Sequence, residues 1–107
     1  MHRLINLTPH PVLLVKPDDS KVIIAPSGKV ARCSTERKHV TTICDMPVYE
    51  ITYGNVEDLP PSKDNTFYIV STLVKESMKG KRSDLVSPID FVRDNTGNIG
   101  GCKALAI

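Results

Sequence analysis

The stretch that decides the fold is FYIVSTLVKESMKG, residues 67–80. Its first four residues, Phe67–Val70, form a short and strongly apolar run that predicts a strand. Ser71 and Thr72 follow directly, and hydroxyl residues in this place cap the start of a helix. Apolar side chains then recur at helical spacing as far as the glycine that ends the helix, Gly80. The sequence therefore predicts a strand that runs straight into a helix of about two turns.

Outward from this stretch, short apolar runs alternate with turn residues. The runs that predict strands are residues 3–7, 12–15, 22–24, 29–33, 40–44, 48–53, 91–93 and 99–105. Residues 34–39 are polar and charged, and we interpret them as an exposed loop or a flared hairpin end. Local hairpins dominate this pattern, and only the segment from Phe67 to Phe91 has the length of a crossover. We therefore expect the α+β class, with an antiparallel, strongly bent sheet or partial barrel and one short helix, formed by residues 1–107 as a single domain.

Composition narrows the class of protein further. The 107 residues carry a net charge of +2, and only 5% of them are aromatic. A charge bias this small and so few aromatic side chains argue against binding of a nucleic acid polymer. No apolar run approaches the length of a membrane span, no signal peptide is recognisable, and three cysteines do not make a disulfide framework. We expect no membrane association and a cytoplasmic location, in a bacterial or phage-infected cell.

Three stretches of the chain together resemble a known group of proteins. They are INLTPHPV at Ile5–Val12, the turn Pro26–Gly28 with Arg32 after it, and a C-terminal pattern that runs from RSDLVSP at Arg82–Pro88 through VRDNTGNIGGC at Val92–Cys102. The chain resembles a family of small, uncharacterised proteins of bacteriophages and of bacterial genomes with phage-derived regions. The resemblance transfers no activity. It implies a compact accessory protein that acts inside an infected cell, where such proteins often bind a host factor or a nucleotide signal.

Basic and hydroxyl side chains are the candidates for holding an anion. Arg32, Arg82 and Arg93 carry guanidinium groups, which bind phosphate in a bidentate geometry that lysine cannot match. Ser71 and Thr72 stand where the helix begins, and free backbone N–H groups at such a position bind phosphate or carboxylate. The structural alternatives are surface ion pairs for the arginines and an ordinary cap for the two hydroxyl residues.

Three further residues complete the candidate ligand site. Asp84 and Asp94 lie close in sequence to Arg82 and Arg93, so each carboxylate is placed to orient its neighbouring arginine or to bind a ribose hydroxyl. His10 stands between two prolines, and a stiff backbone suits a ligand contact or a general base. It equally suits a rigid structural bend, and Asp94 equally suits the first position of a turn.

The sequence predicts neither a metal ion nor a cofactor. Cys33, His39 and Cys44 match no paired Cys-x-x-Cys spacing, so we expect buried free thiols there. Cys102 follows Gly101 in an expected strand and fits a core position better than a nucleophile. No Walker-type or dinucleotide-binding glycine pattern is present.

These observations support three functional hypotheses. The first is a non-enzymatic protein that sequesters a small phosphate-bearing ligand, such as a nucleotide-derived signal of host defence. The second is a small hydrolase or lyase that acts on a similar ligand, with His10 as base and Asp84 or Asp94 as its partner. The third is a protein-interaction module that inhibits a host enzyme through a surface such as Ser34–His39. In each case we expect a homo-oligomer, most simply a dimer, because small β domains leave sheet edges that a twofold partner covers.

Overall fold

A computed structural model describes residues 2–93, 95–97 and 99–107 of the chain. The elements in chain order are β1 (Arg3–Asn6), β2 (Val12–Val15), β3 (Lys21–Ile24), β4 (Arg32–Ile43), β5 (Met46–Glu57), β6 (Thr66–Ile69), α1 (Thr72–Ser77), β7 (Leu85–Arg93) and β8 (Ile99–Ala106). The α+β class, with a bent, partly barrel-like sheet and one short helix, is confirmed. Within the part of the chain that the structure describes, no helix is long and apolar enough to cross a lipid bilayer.

Six strands form one curved sheet in the order β1-β6-β7-β8-β2-β3. The pairs β2–β3 and β7–β8 are antiparallel, as expected of hairpins, while β1–β6, β6–β7 and β2–β8 are parallel. The parallel pair β6–β7 is joined through α1, which is the crossover expected between Phe67 and Phe91. Parallel neighbours require a connection of this kind, because the chain must return to the starting end of the sheet.

The two end strands of this sheet almost meet, and Asn6 makes the contact between them. The backbone N–H of Ser27, just after β3, donates to the carbonyl of Asn6 at 2.9 Å. The Asn6 side-chain amide donates to the carbonyl of Ile24 in β3 at 3.0 Å. These bonds curl the six strands into a nearly closed barrel, and we call this part of the molecule the barrel.

The hydrophobic core lies between the barrel and the helix. Its buried members are Leu7, Ala31, Tyr68, Val70, Val74 and Leu85. Partly buried side chains of the β4–β5 hairpin, Cys33 and Val56, pack against this cluster. The base of the hairpin is therefore anchored to the core.

Beyond that base, β4 and β5 form a separate two-stranded sheet. We call residues 34–55 of this hairpin the arm. Residues 34–39 are exposed, as expected, but they form regular strand instead of a loop. A ribbon with solvent on both faces tolerates charges at every position, so the alternating pattern of a half-buried strand is absent from its sequence.

The arm ends in a tight turn. Ile43 pairs with Met46, and the two residues between them, Cys44 and Asp45, have φ angles of 49° and 64°. Positive φ at both positions is the type I′ turn, whose twist matches that of a β-hairpin. The turn therefore falls at Cys44–Asp45, and Met46 and Pro47, which lie between the two predicted strand runs, belong to β5.

Candidate functional site

The motif at the N-terminus is a hydrogen-bonded network around Asn6, which is 1% exposed. Its amide nitrogen donates to the carbonyl of His10 at 2.8 Å, in addition to the bond to β3. Its amide oxygen accepts from the backbone N–H of Thr8 at 2.9 Å and from the Thr8 hydroxyl at 2.6 Å. The whole hydrogen-bonding capacity of the amide is thus used to close the barrel and fix the bend.

His10 enters this network through its carbonyl group, and the residue itself is exposed. The rigid bend expected from its two flanking prolines is present, and its structural role is clear. His10 does not line the cavities that hold the candidate arginines. Sequence reasoning did not single out Asn6, although the hydrogen bonds of its side-chain amide hold this bend and the closure of the barrel.

Ser71 and Thr72 form an ordinary start to a short helix. Ser71 is the N-cap, with φ −64° and ψ 155°, and its hydroxyl accepts from the backbone N–H of Val74 at 3.3 Å. The helix itself has six residues, and both hydroxyl residues are exposed. The structural alternative, a helix cap, accounts for Ser71 completely.

Arg82 and Asp84 form a bidentate ion pair. The guanidinium Nε donates to Oδ1 at 2.9 Å and Nη2 donates to Oδ2 at 2.8 Å, and the two side chains are only 17% and 14% exposed. These hydrogen bonds lower the pKa of the Asp84 carboxyl from its ordinary value and raise that of Arg82. The structure thus shows the ion pair that the sequence offered as the structural alternative to ligand binding. The same bonds use two of the five guanidinium N–H donors, which reduces what Arg82 can offer a ligand.

The other two arginines lie elsewhere. Arg93 donates from Nη1 to the carbonyl of Gly97 at 2.9 Å and so supports the turn of its own hairpin. Arg32 is the exposed first residue of β4 and pairs in register with Glu57. Asp94, the last of the predicted ligand residues, lies outside the described residues.

Arg32 and Arg82 line different cavities. An open cavity of about 370 Å³ lies between the base of β5 and the end of α1, where Lys81 and Arg82 form its basic wall. A second, of about 340 Å³, lies beside Arg32, and the two share only Asn55 among their lining residues. Arg82 also follows the C-terminal end of α1, whereas Ser71 and Thr72 begin it. The structure does not bring the three arginines and the two hydroxyl residues into one described cavity.

The cysteines are free thiols in three different environments. Cys33 is partly buried, Cys44 is exposed in the turn of the arm, and Cys102 is buried, which raises the pKa of its thiol. Among the residues that the structure describes, no three His, Cys, Asp or Glu side chains cluster closely enough to hold a metal ion.

The arm carries a regular row of exposed apolar side chains. Tyr49, Ile51 and Tyr53 alternate along β5 and are 42%, 55% and 50% exposed. Opposite them on β4 stand Thr35, Arg37 and His39, which share the same side of the ribbon by register. We call the side formed by these six residues the aromatic face.

The aromatic face is ordered by contacts of its own. The Arg37 guanidinium carbon lies 4.7 Å from the centre of the Tyr49 ring, a cation–π distance. The rings of His39 and Tyr49 meet edge to face, with centroids 5.6 Å apart. Over the same stretch the opposite side of the ribbon carries the polar pairs Glu36–Thr52 and Lys38–Glu50, and nearer the turn it carries the exposed apolar pair Ile43–Met46. The arm is therefore two-sided, although solvent reaches both sides.

No known protein family, curated protein or solved structure matches this chain. Its function must be inferred from its own geometry.

The sequence showed the alternation of residues 48–53 and predicted a half-buried strand. It missed the exposure of Tyr49, Ile51 and Tyr53, because an alternating strand is normally covered on its apolar side.

Proposed function

We propose that this chain is a protein-interaction module and that the arm is its contact surface. The observation that carries the proposal is the exposure of the aromatic face on an arm whose described contacts with the hydrophobic core lie at its base. Large apolar side chains that are grouped and exposed on one surface mark interaction sites in soluble proteins. Residues 34–39, the surface named on sequence grounds for an inhibitor of a host enzyme, belong to this arm.

The chemistry of the face fits a protein partner. Tyrosine and arginine are the side chains most enriched at the centres of protein interfaces, because they combine large contact areas with hydrogen-bonding groups. Complete burial of a side chain such as Ile51 stabilises by about 1.5–3 kcal/mol. A two-stranded ribbon gains little of this by itself, since two strands alone are marginally stable in water. Binding of a partner over the aromatic face supplies the missing burial.

Site-specific photocrosslinking in cells tests the proposal. Benzoylphenylalanine replaces Tyr53 on the arm in one variant and Phe91 on the barrel in the control, since these aromatic side chains are 50% and 51% exposed. We expect a discrete protein adduct from position 53 and no comparable adduct from position 91. Equal labelling from both positions, or no adduct from position 53, contradicts the proposal.

A small phosphate-bearing ligand is the second candidate. One observation favours it: Lys81 and Arg82 together line the cavity of about 370 Å³ beside the base of the arm. Calorimetry against a panel of nucleotides and cyclic nucleotides tests it with the variants Lys81→Met and Arg82→Met. Loss of binding in both supports a site in this cavity. Unchanged affinity in both variants contradicts a ligand site in this cavity.

The remaining sequence predictions stay predictions. No contact of the His10 ring favours a hydrolase or lyase, and the release of intact ligand from denatured protein distinguishes sequestration from catalysis. The phage-type setting and the cytoplasmic location are consistent with an interaction module that acts on a protein of the host cell.

A further inference from the structure

The outer edge of β5 is an unpaired strand edge. Among the residues that the structure describes, the sheet of the arm has two strands, so each strand has one side without a strand partner. In a hairpin closed by a two-residue loop, the pair beside the loop exchanges hydrogen bonds and the pairs then alternate. Counting from Ile43–Met46, residues Pro47, Tyr49, Ile51 and Tyr53 direct their backbone groups to the open edge. Proline has no N–H to donate and is tolerated only on such an edge.

The two edges of the arm differ in how they are protected. Along β4, the residues Glu36, Arg37, Lys38 and His39 place charged or polar side chains in succession, and a bulge interrupts the strand between His39 and Thr41. Charges and bulges are the usual means of preventing one edge from pairing with another. Along β5, the run Val48–Tyr53 contains one charge, Glu50, among residues of high strand propensity. The β5 edge is therefore open to pairing, whereas the β4 edge is blocked.

The sequence of the open edge is complementary to itself. Tyr49-Glu50-Ile51-Thr52-Tyr53 has the same residue at both ends and a polar residue on each side of Ile51. When two copies run antiparallel about a twofold axis at Ile51, each Tyr49 stands opposite a Tyr53 and each Glu50 opposite a Thr52. No two like charges face each other, and aromatic cross-strand pairs are among the favourable ones.

We propose that a second copy of this chain occupies the β5 edge, so that two arms join into one four-stranded antiparallel sheet. This inference rests on the proposed function, and it names the partner of the arm. Tyr49, Ile51 and Tyr53 of both copies make the central ladder, with about six backbone hydrogen bonds. The twofold axis makes the interface isologous, and such dimers close without further growth.

The register also explains the two-sided character of the arm. In the joined sheet both aromatic faces lie on the same side, since residue pairs that stand opposite each other share a side. Each Tyr49 of one copy then packs beside a Tyr53 of the other along the seam, and the outer side of the joined face remains exposed. Pairing between β4 edges would instead bring Arg37 and Lys38 close to their own copies, which like-charge repulsion disfavours.

Sedimentation with charge variants at the centre of the twofold tests the pairing and its register. Wild-type protein should sediment at twice the 11.8 kDa of the chain. Ile51→Lys should weaken the dimer at least about tenfold, because two lysines then oppose each other at the axis. Ile51→Glu should do the same, and an equimolar mixture of the two variants should recover a dimer. The control is Ile23→Lys, an isoleucine of β3 that is 67% exposed on the barrel, which should leave the dimer unchanged.

Circular dichroism of each variant verifies that the arm still forms. A wild-type dimer that Ile51→Lys leaves intact overturns the proposed edge, because the copies then associate elsewhere. A monomeric wild-type chain whose position 53 still crosslinks to a different protein overturns the self-pairing and leaves the interaction module in place. A monomer with no adduct from position 53 contradicts both proposals.

Discussion

The barrel and the arm place similar apolar side chains in opposite surroundings. In the barrel, Tyr68 is 1% exposed and Val70 is fully buried, and both pack in a core beneath the helix. In the arm, Tyr53 is 50% and Ile51 is 55% exposed. The barrel is therefore held by burial of side chains, and the arm by its backbone ladder and its turn.

The difference indicates that the barrel provides the stability of the fold and that the arm provides the surface for binding. A residue of the barrel core stabilises the fold because its neighbours in the same chain surround it. A residue of the arm's aromatic face has few such neighbours, so it gains burial only when a partner binds. Substitutions in the two regions should consequently change different measurements: unfolding for the barrel and association for the arm.

Removal of the central aromatic side chain should have the largest effect on stability. Tyr68 is packed in the core, and its hydroxyl donates to the carbonyl of Pro61 at 3.1 Å. We expect Tyr68→Ala to lower the free energy of unfolding by about 3–5 kcal/mol, measured by urea denaturation. The matched control is Tyr53→Ala, which should change it by about 0.5 kcal/mol or less in dilute, monomeric protein. Similar losses in the two variants would break the distinction between barrel and arm.

Loss of the Asn6 amide that closes the barrel should have the second-largest effect on stability. Asn6→Ala leaves the carbonyl of Ile24 and the N–H of Thr8 without their partner in a partly buried site, and it leaves the carbonyl of His10 with the Thr8 hydroxyl as its donor. We expect a loss of about 2–3 kcal/mol in the free energy of unfolding, together with faster hydrogen exchange near β3. Exchange in the arm should not change, since no hydrogen bond of Asn6 reaches it. A uniform acceleration over both regions would show that they unfold as one unit.

The ion pair of the barrel should give a moderate, pH-dependent effect. Hydrogen bonds from Arg82 hold the pKa of Asp84 below its ordinary 3.8. A carboxyl whose pKa is lower in the folded chain stabilises the fold above its ordinary pKa and loses that contribution as the pH falls through the folded value. We expect Asp84→Asn to cost about 1–2 kcal/mol at neutral pH. The difference from wild type should shrink as the pH falls below about 4.

A less buried pair serves as the control for this pH series. Lys75 and Glu76 are 4.0 Å apart, and the glutamate side chain is 44% exposed. Glu76→Gln should leave the acid limb of the stability curve as it is in wild type, because exposed pairs contribute little. A gap between wild type and Asp84→Asn that stays constant from pH 7 to pH 3 would contradict the role assigned to the ion pair.

Improvement of the arm's turn should have the smallest effect and should stay local. Cys44 and Asp45 both have positive φ, which asparagine and glycine adopt more readily. We expect C44N combined with D45G to stabilise the arm by about 0.5–1 kcal/mol. Hydrogen exchange of arm amides should slow by about two- to fivefold, while exchange in the barrel core should stay the same. Equal slowing in the core would mean that arm and barrel are coupled more tightly than the contacts suggest.

Most elements of the fold were predictable because their signals are local. The sequence predicted a strand and a capped helix from Phe67–Val70 and the Ser71 that follows. Both are present, with Ser71 as the N-cap. The parallel pairing of β1 with β6 and of β2 with β8 was not predictable, because the partners are far apart in sequence and no turn links them. The role of Asn6 was not predictable either, because it depends on the tertiary fold, which places Ile24 beside it.

The candidate site was predictable only where two residues are close in sequence. The pairing of Arg82 with Asp84 followed from their spacing, and the structure confirms it. The arrangement of Arg32, Arg82 and Arg93 depended on the path of the whole chain, and each has a different local setting. The aromatic face was missed, because alternation of apolar and polar residues predicts a strand without saying which protein covers it.

The sequence by itself determined most of the strands, the short helix with its cap and the self-complementary run Tyr49–Tyr53, since each depends on residues within a few positions of one another. Only the tertiary structure decided which apolar strands are buried and which stand in solvent. That choice depends on how much surface the barrel core can cover, and the core of so small a chain extends to the base of the β4–β5 hairpin but not along it.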